Sequence, residues 1–180
     1  MVAVAEELPR VCMPGTFARI ERMWRKGTTE AKLTLPMQAR GERRYRNALS
    51  ITRGPLVYGL RIGEDWRRVN ADVPGRELPH ADWEVYATTP WNYALALNED
   101  NVAEALAFEE HPVGDRPFSP DGAPVTATVQ ARRLPGWELV NGSADKTPES
   151  PAASDSPLET VTLIPYGCTN LRVAEFPTLE

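Results

Sequence analysis

The chain has 180 residues, with 20 Lys and Arg against 25 Asp and Glu, a net charge of −5 and a pI near 5.2. That balance excludes a basic nucleic-acid binder as the first reading, because such binding needs surplus cations to release counterions from phosphates. Fractions of 42% hydrophobic and 25% charged residues are those of a soluble globular chain able to bury a core without a metal or disulfide staple. The 17 prolines, where average usage gives about 9, favour short elements and turns over long helices.

The N-terminus, Met1-Val-Ala-Val-Ala-Glu6-Glu7, lacks the basic start and apolar run of a secretory signal, so the chain as written is expected to be cytoplasmic. Residues 16–24 alternate loosely, with Ala18, Ile20 and Trp24 on one side. Lys26-Gly27-Thr28 supplies a turn. Residues 30–37 then alternate cleanly, with Ala31, Leu33, Leu35 and Met37 opposite Glu30, Lys32 and Thr34. This pattern predicts a hairpin. Further strands are expected at 48–52, 56–62, 83–88, 91–97, 125–132, 161–164 and 171–176. Residues 101–110 carry Val102, Ala105 and Leu106 at helical spacing and Glu104, Leu106 and Phe108 at strand spacing, and are assigned as a strand. Residues 142–157 hold no apolar side chain larger than alanine and read as a mobile surface loop. The longest uncharged stretch, 85–98, contains Pro90, Asn92 and Asn98 and falls short of the ~20 apolar residues of a membrane helix, so no membrane partner is expected. The predicted fold is all-β and antiparallel, a sandwich of jelly-roll type with little helix. A first β-domain is placed at 1–66, a connector at 67–79 and a second, sandwich domain at 80–180.

Few residues offer chemistry. Cys12 and Cys168 stand far apart with no CxxC and no nearby histidine, so no zinc site or other cofactor is expected, and two buried free thiols are the simpler reading. His80, Asp82 and Glu84 alternate and would share one face of an extended segment. That pattern suits a metal or acid/base site, although solvated charges at a strand entrance are commoner. Glu109, Glu110, His111 and Asp115 read as a polar loop. Arg40, Arg43, Arg44 and Arg46, with Tyr45, could grip phosphate or carboxylate, against the simpler readings of a solvated edge or a domain interface. Trp66, Trp83, Trp91, Tyr93, Trp137 and Tyr166 crowd the rest of the chain. Sugars stack their C–H faces on exposed rings, whereas core packing suffices for Trp91 and Tyr93 in their apolar run. Trp66 and Trp137 lie beside glycine, proline and charged residues in expected loops, which leaves their exposure more open. The carbohydrate-binding candidates are thus Trp66, Trp137, Trp83 and Tyr166.

Four runs in order carry a resemblance: Leu33-Thr-Leu-Pro-Met37, Asn47-Ala-Leu-Ser-Ile-Thr-Arg-Gly-Pro-Leu-Val-Tyr58, Thr89-Pro-Trp-Asn-Tyr93, and Leu163-Ile-Pro-Tyr-Gly-Cys-Thr-Asn-Leu-Arg172 with Phe176-Pro177. Together they resemble the C-terminal part of glycoside hydrolase family 127, which includes β-L-arabinofuranosidases, over nearly the whole chain. The resemblance implies antiparallel β-domains that follow a helical catalytic barrel. The family's zinc-held cysteine nucleophile belongs to that barrel, and no position here corresponds to it. The implied role is a non-catalytic accessory domain that buttresses the barrel and contacts glycan. The alternatives are a weak or promiscuous hydrolase using His80, Asp82 and Glu84, and a purely structural domain. The resemblance also implies missing strands ahead of residue 16, so that the domain at 1–66 is truncated and the one at 80–180 complete, and the 16–37 hairpin is left at an open sheet edge. A second copy of the chain or the segment from Met1 to Arg10 could take that edge. Self-association is favoured, because residues 1–8 are few and include Glu6 and Glu7.

Overall fold

Val2 and Val4 point to the same side of an extended segment, and that period of two decides the pairing in the first of two units, Met1–Met37. The computed structural model describes residues 1–4, 10–13 and 15–179. Strand β1 (Val2–Val4) runs antiparallel to β2 (Ala31–Leu33), with Val2 opposite Leu33 and Val4 opposite Ala31. Met1 and Thr34 exchange bonds of 2.8 Å at one end, and Val2 exchanges two backbone bonds of 2.9 Å with Arg10. The expected hairpin is therefore corrected. Residues 16–24 form no strand, and one edge of β2 is paired with the N-terminal strand β1. The physical reason is the cleaner alternation. Val2 and Val4 are buried, whereas Phe17, Met23 and Trp24 stand exposed among Arg19, Glu21 and Arg22. Glu6 and Glu7 lie outside the described residues.

The second unit, Gln38–Glu180, is built on short strands joined by tight turns. In chain order these are β3 (Ala39–Arg43), β4 (Leu49–Arg53), β5 (Leu56–Leu60), β6 (Glu64–Val69), β7 (Asp82–Ala87) and β8 (Tyr93–Leu95). There follow the single-turn helix α1 (Val102–Ala105), β9 (Ala107–Glu110), β10 (Val125–Arg133), β11 (Leu139–Val140), β12 (Ser143–Ala144) and β13 (Leu158–Pro165). The fold is all-β and antiparallel. The main sheet runs β3-β4-β5-β13-β10-β8, with β9 sharing the edge of β10 that β8 also uses, and it curls into a half-barrel. Hairpins β6–β7 and β11–β12 stand apart from it.

Pattern and turn chemistry explain the centre of this sheet. Val125, Ala127, Val129 and Ala131 of β10 are all buried and alternate with polar residues, as one-sided burial requires. Gly54, at φ +58°, makes the turn of the β4–β5 hairpin, a conformation that glycine adopts without penalty. Leu49, Ile51, Tyr58, Leu60, Leu95, Leu163 and Phe176 fill the concave side.

The segment 176–179 closes the curl. Phe176 exchanges backbone bonds of 2.7 and 2.9 Å with Leu49 of β4, while Leu95 of β8 donates to the Pro177 carbonyl at 2.8 Å and accepts from Leu179 at 2.9 Å. One strap thus joins β4, second in the sheet order, to β8 at its far end. It replaces the expected strand at 171–176, whose residues before Phe176 take no regular pairing.

Three other expectations are corrected. Residues 101–110 obey both periods in turn, a helical turn over 102–105 and then β9. Residues 67–79 are no connector, because 67–69 finish β6, the rest forms the tip of the β6–β7 hairpin, and β5 pairs directly with β13 across the expected boundary. The 142–157 segment is tied down at several points. Ser150 is buried, its hydroxyl accepts from the Thr178 amide at 3.0 Å, and its carbonyl accepts from Asn47 Nδ2 at 3.2 Å. Polar side chains of this segment find partners inside the fold, which composition alone does not reveal.

Candidate functional site

Between β5 and β6 the chain passes from Leu60 to Glu64 through Gly63, and the pairing there leaves no room for a side chain. Gly63 accepts from the Thr88 amide at 2.9 Å and donates to Thr89 Oγ1 at 2.8 Å. A Cβ at Gly63 would sit 2.4 Å from Thr88 Oγ1. This stem holds the β6–β7 hairpin over a cleft of about 750 Å³ lined by Arg61, Glu64, Trp66, Thr89, Arg116, Asp121 and Asn170, with Tyr93, Thr160 and Thr162 also on its wall.

The polar groups of the cleft are largely committed to one another. Glu64 accepts from the Asn170 amide at 3.3 Å, from Asn170 Nδ2 at 3.0 and 3.2 Å, and from Trp66 Nε1 at 3.0 Å. The indole N–H is thereby used internally, while the 48% exposed Trp66 side chain packs edge-on to Trp83 at 6.3 Å. Arg61 donates to Asp121 at 2.6 Å. Burial, with Glu159 adding to it, pushes the Tyr93 hydroxyl above its usual pKa.

Arg116 and Asp121 are carried by a loop that is pinned from inside. Ser119 Oγ donates to the Arg116 carbonyl at 2.8 Å, and the Gly122 amide donates to Ser119 Oγ at 3.1 Å. A Cβ at Gly122 would lie 2.0 Å from the Arg116 carbonyl oxygen, so only glycine fits. Cys168 Sγ donates to the Pro117 carbonyl at 3.2 Å from a small apolar cluster with Ala123 and Ile164. Burial raises its thiol pKa, which keeps it the neutral donor this bond requires. Both cysteines are free, but Cys12 is only half-buried, against the expectation of two buried thiols.

The predicted residues fall into two places, Trp66 with Trp83 at this cleft and Trp137 with Tyr166 on the wall of a second cavity. Trp66 enters the cleft, and Trp83 backs it from the hairpin. Trp137 does not join them. It is 4% exposed, donates to the Asp145 carbonyl at 2.8 Å, and packs edge-on to Trp91 at 5.1 Å. The cause is Asn92, whose Nδ2 holds the carbonyls of Leu134 and Trp137 at 2.9 and 3.0 Å and folds the Pro135-Gly136 turn so that the indole meets Ala94 and Ala152. Tyr166 is part-exposed, lies under the Arg172 guanidinium at 4.8 Å, and borders a different cavity of about 320 Å³.

His80, Asp82 and Glu84 do not assemble. His80 precedes β7 and is exposed. Asp82 accepts from Asn70 at 3.0 Å and pairs with Arg76 at 3.1 Å, while Glu84 accepts from the Tyr86 hydroxyl at 2.5 Å. That bond raises the Tyr86 pKa. Among the described residues no three or more His, Cys, Asp and Glu side chains gather as a metal would require. Three arginines of the run make ion pairs, Arg43 with Glu99, Arg44 with Glu42 and Arg46 with Glu149.

Sequence reasoning missed Arg61, Glu64, Arg116, Asp121 and Asn170. Arg61 and Asp121 meet only because the chain returns to the same place, and no local spacing marks such a pair. Asn170 lies inside the run Leu163–Arg172 and was the one available signal. Among the described residues no helix is long and apolar enough to cross a membrane. No family model and no curated protein matches the chain.

Proposed function

We propose that the chain is a non-catalytic accessory β-domain of a glycoside hydrolase that contacts glycan at the cleft beside Trp66. The observation that carries this reading is the half-exposed indole, tied at its N–H to Glu64, bordering a cleft whose walls mix apolar residues such as Leu60, Ile62 and Val161 with hydrogen-bonding groups. A sugar ring offers a C–H face to such an indole and hydroxyls to amide, hydroxyl and guanidinium partners, and a cleft of about 750 Å³ accommodates a short oligosaccharide. The resemblance of Arg53-Gly-Pro-Leu-Val-Tyr58 and Pro165-Tyr-Gly-Cys-Thr169 to family 127 supports the parentage, with the buttressing of a catalytic barrel as the accompanying role.

Titration of the purified chain with arabinose-containing and other plant-wall oligosaccharides, followed by calorimetry and tryptophan fluorescence, tests it. The expected dissociation constants are about 0.1–1 mM, abolished in Trp66→Ala and retained in Tyr166→Phe. Absence of binding by every oligosaccharide refutes the reading.

A further inference from the structure

The charged groups around the cleft balance in number, two guanidinium groups against two carboxylates, but not in partners, since Glu64 bonds only the neutral donors of Asn170 and Trp66. Of its two guanidinium groups, Arg61 is neutralised by Asp121 at 2.6 Å. Of its two carboxylates, Asp121 is spent on Arg61, and Glu64 already takes its bonds from Asn170 and Trp66. Arg116 remains. It lines the same cleft, is exposed, and among the described residues its side chain has no hydrogen-bond or ion-pair partner. Its neighbour Asp115 is not among the lining residues. The loop that bears Arg116 is held by Ser119, Gly122 and Cys168, so the base of this long side chain is fixed even though its tip is free.

Resting on the glycan reading above, we infer that the cleft prefers sugars bearing a carboxylate, with Trp66 meeting the ring and Arg116 taking the uronate group. A guanidinium presents two parallel N–H donors that match a carboxylate, and neutral sugar hydroxyls cannot use that geometry fully. Because Arg116 has no internal partner to surrender, the incoming carboxylate competes only with water. A like preference is not expected at the Tyr166 cavity, where Arg172 is already engaged by the Thr169 carbonyl at 3.1 Å.

The test compares oligogalacturonate, its methyl ester and a neutral arabino-oligosaccharide of equal length by calorimetry at low and moderate salt, with acetate as the free-anion control. The acidic oligomer is expected to bind about fivefold to tenfold more tightly than either neutral ligand, with the margin shrinking as salt rises. Arg116→Gln should erase the margin between acidic and neutral ligands, and Arg116→Lys should restore part of it. Equal affinity for acidic and neutral ligands, or a margin that survives in Arg116→Gln, overturns the inference and leaves the glycan reading standing. Binding of acetate alone as tight as that of the acidic oligomer also overturns it, since the site would then be a general anion site. Binding of none of the ligands overturns both.

Discussion

Replacing Phe176 with alanine separates the strap's side chain from its backbone. The two bonds to Leu49 are made by main-chain atoms and persist in the variant, so the loss reports the ring alone. The ring is 0% exposed and sits among Leu49, Leu95 and the rest of the concave cluster. Deleting a buried phenylalanine costs about 3–5 kcal/mol, transfer and cavity together, which is a large part of the 5–15 kcal/mol typical of a domain, taken here as an order of magnitude, ~10. With a urea m-value of about 2 kcal/mol/M for a unit of this size, the unfolding midpoint should fall by roughly 2 M at unchanged m. Phe118, 83% exposed on the pinned loop, provides the control, and Phe118→Ala should change stability by less than about 0.5 kcal/mol. A midpoint shift below roughly 0.5 M for Phe176→Ala, or equal shifts for the two variants, would refute the claim that the strap is part of the core.

Four further outcomes are expected. Gly122→Ala should cost about 1–3 kcal/mol, because its Cβ has to clear a carbonyl oxygen at 2.0 Å, and glycan binding should weaken as Arg116 and Asp121 shift; wild-type melting and binding would contradict this. Trp137→Ala should destabilise by about 3–5 kcal/mol whereas Trp66→Ala should cost under about 1 kcal/mol, and chemical denaturation of the two variants distinguishes a core ring from a surface one. Burial raises the pKa of Cys168 above 9.0 and of Tyr58 and Tyr93 above 10.0. The unfolded chain then releases these protons first, so stability is full below pH 9 and falls as pH rises, and Cys168→Ala should delay the onset toward pH 10 in urea midpoints taken from pH 8 to 11. Asn92→Ala should free the 134–137 turn and expose Trp137, seen as a red shift in tryptophan emission relative to wild type.

What the sequence disclosed depended on how local the cause was. Strands β4, β5 and β10 were legible because alternation and the Gly54 turn act within a few residues. Strand β3 was not, since Ala39-Arg-Gly-Glu-Arg43 has no apolar pattern and is extended by its pairing with β4. Residues 101–110 held two true periods, and choosing one concealed the other. Trp66 and Trp137 have similar neighbours in sequence. Asn92, Ala94 and Ala152, supplied from remote positions, bury one and leave the other in the cleft. The same holds for Arg61 with Asp121, a pair that exists only after folding.

The strap sets a timetable for the newborn chain. Strands β3, β4 and β5 form a meander of neighbours that can assemble as soon as they are made. The far edge of β5, at Leu60, is matched only by Leu163, about a hundred residues later, which is roughly 5–20 s at ordinary rates of synthesis. Leu49 waits longer still, for Phe176. During that interval a half-built sheet offers unpaired backbone and an uncovered row of Leu49, Ile51, Tyr58 and Leu60 to any neighbour, so the nascent chain is most open to aggregation and to chaperone capture after β5 is complete and before the last turn closes.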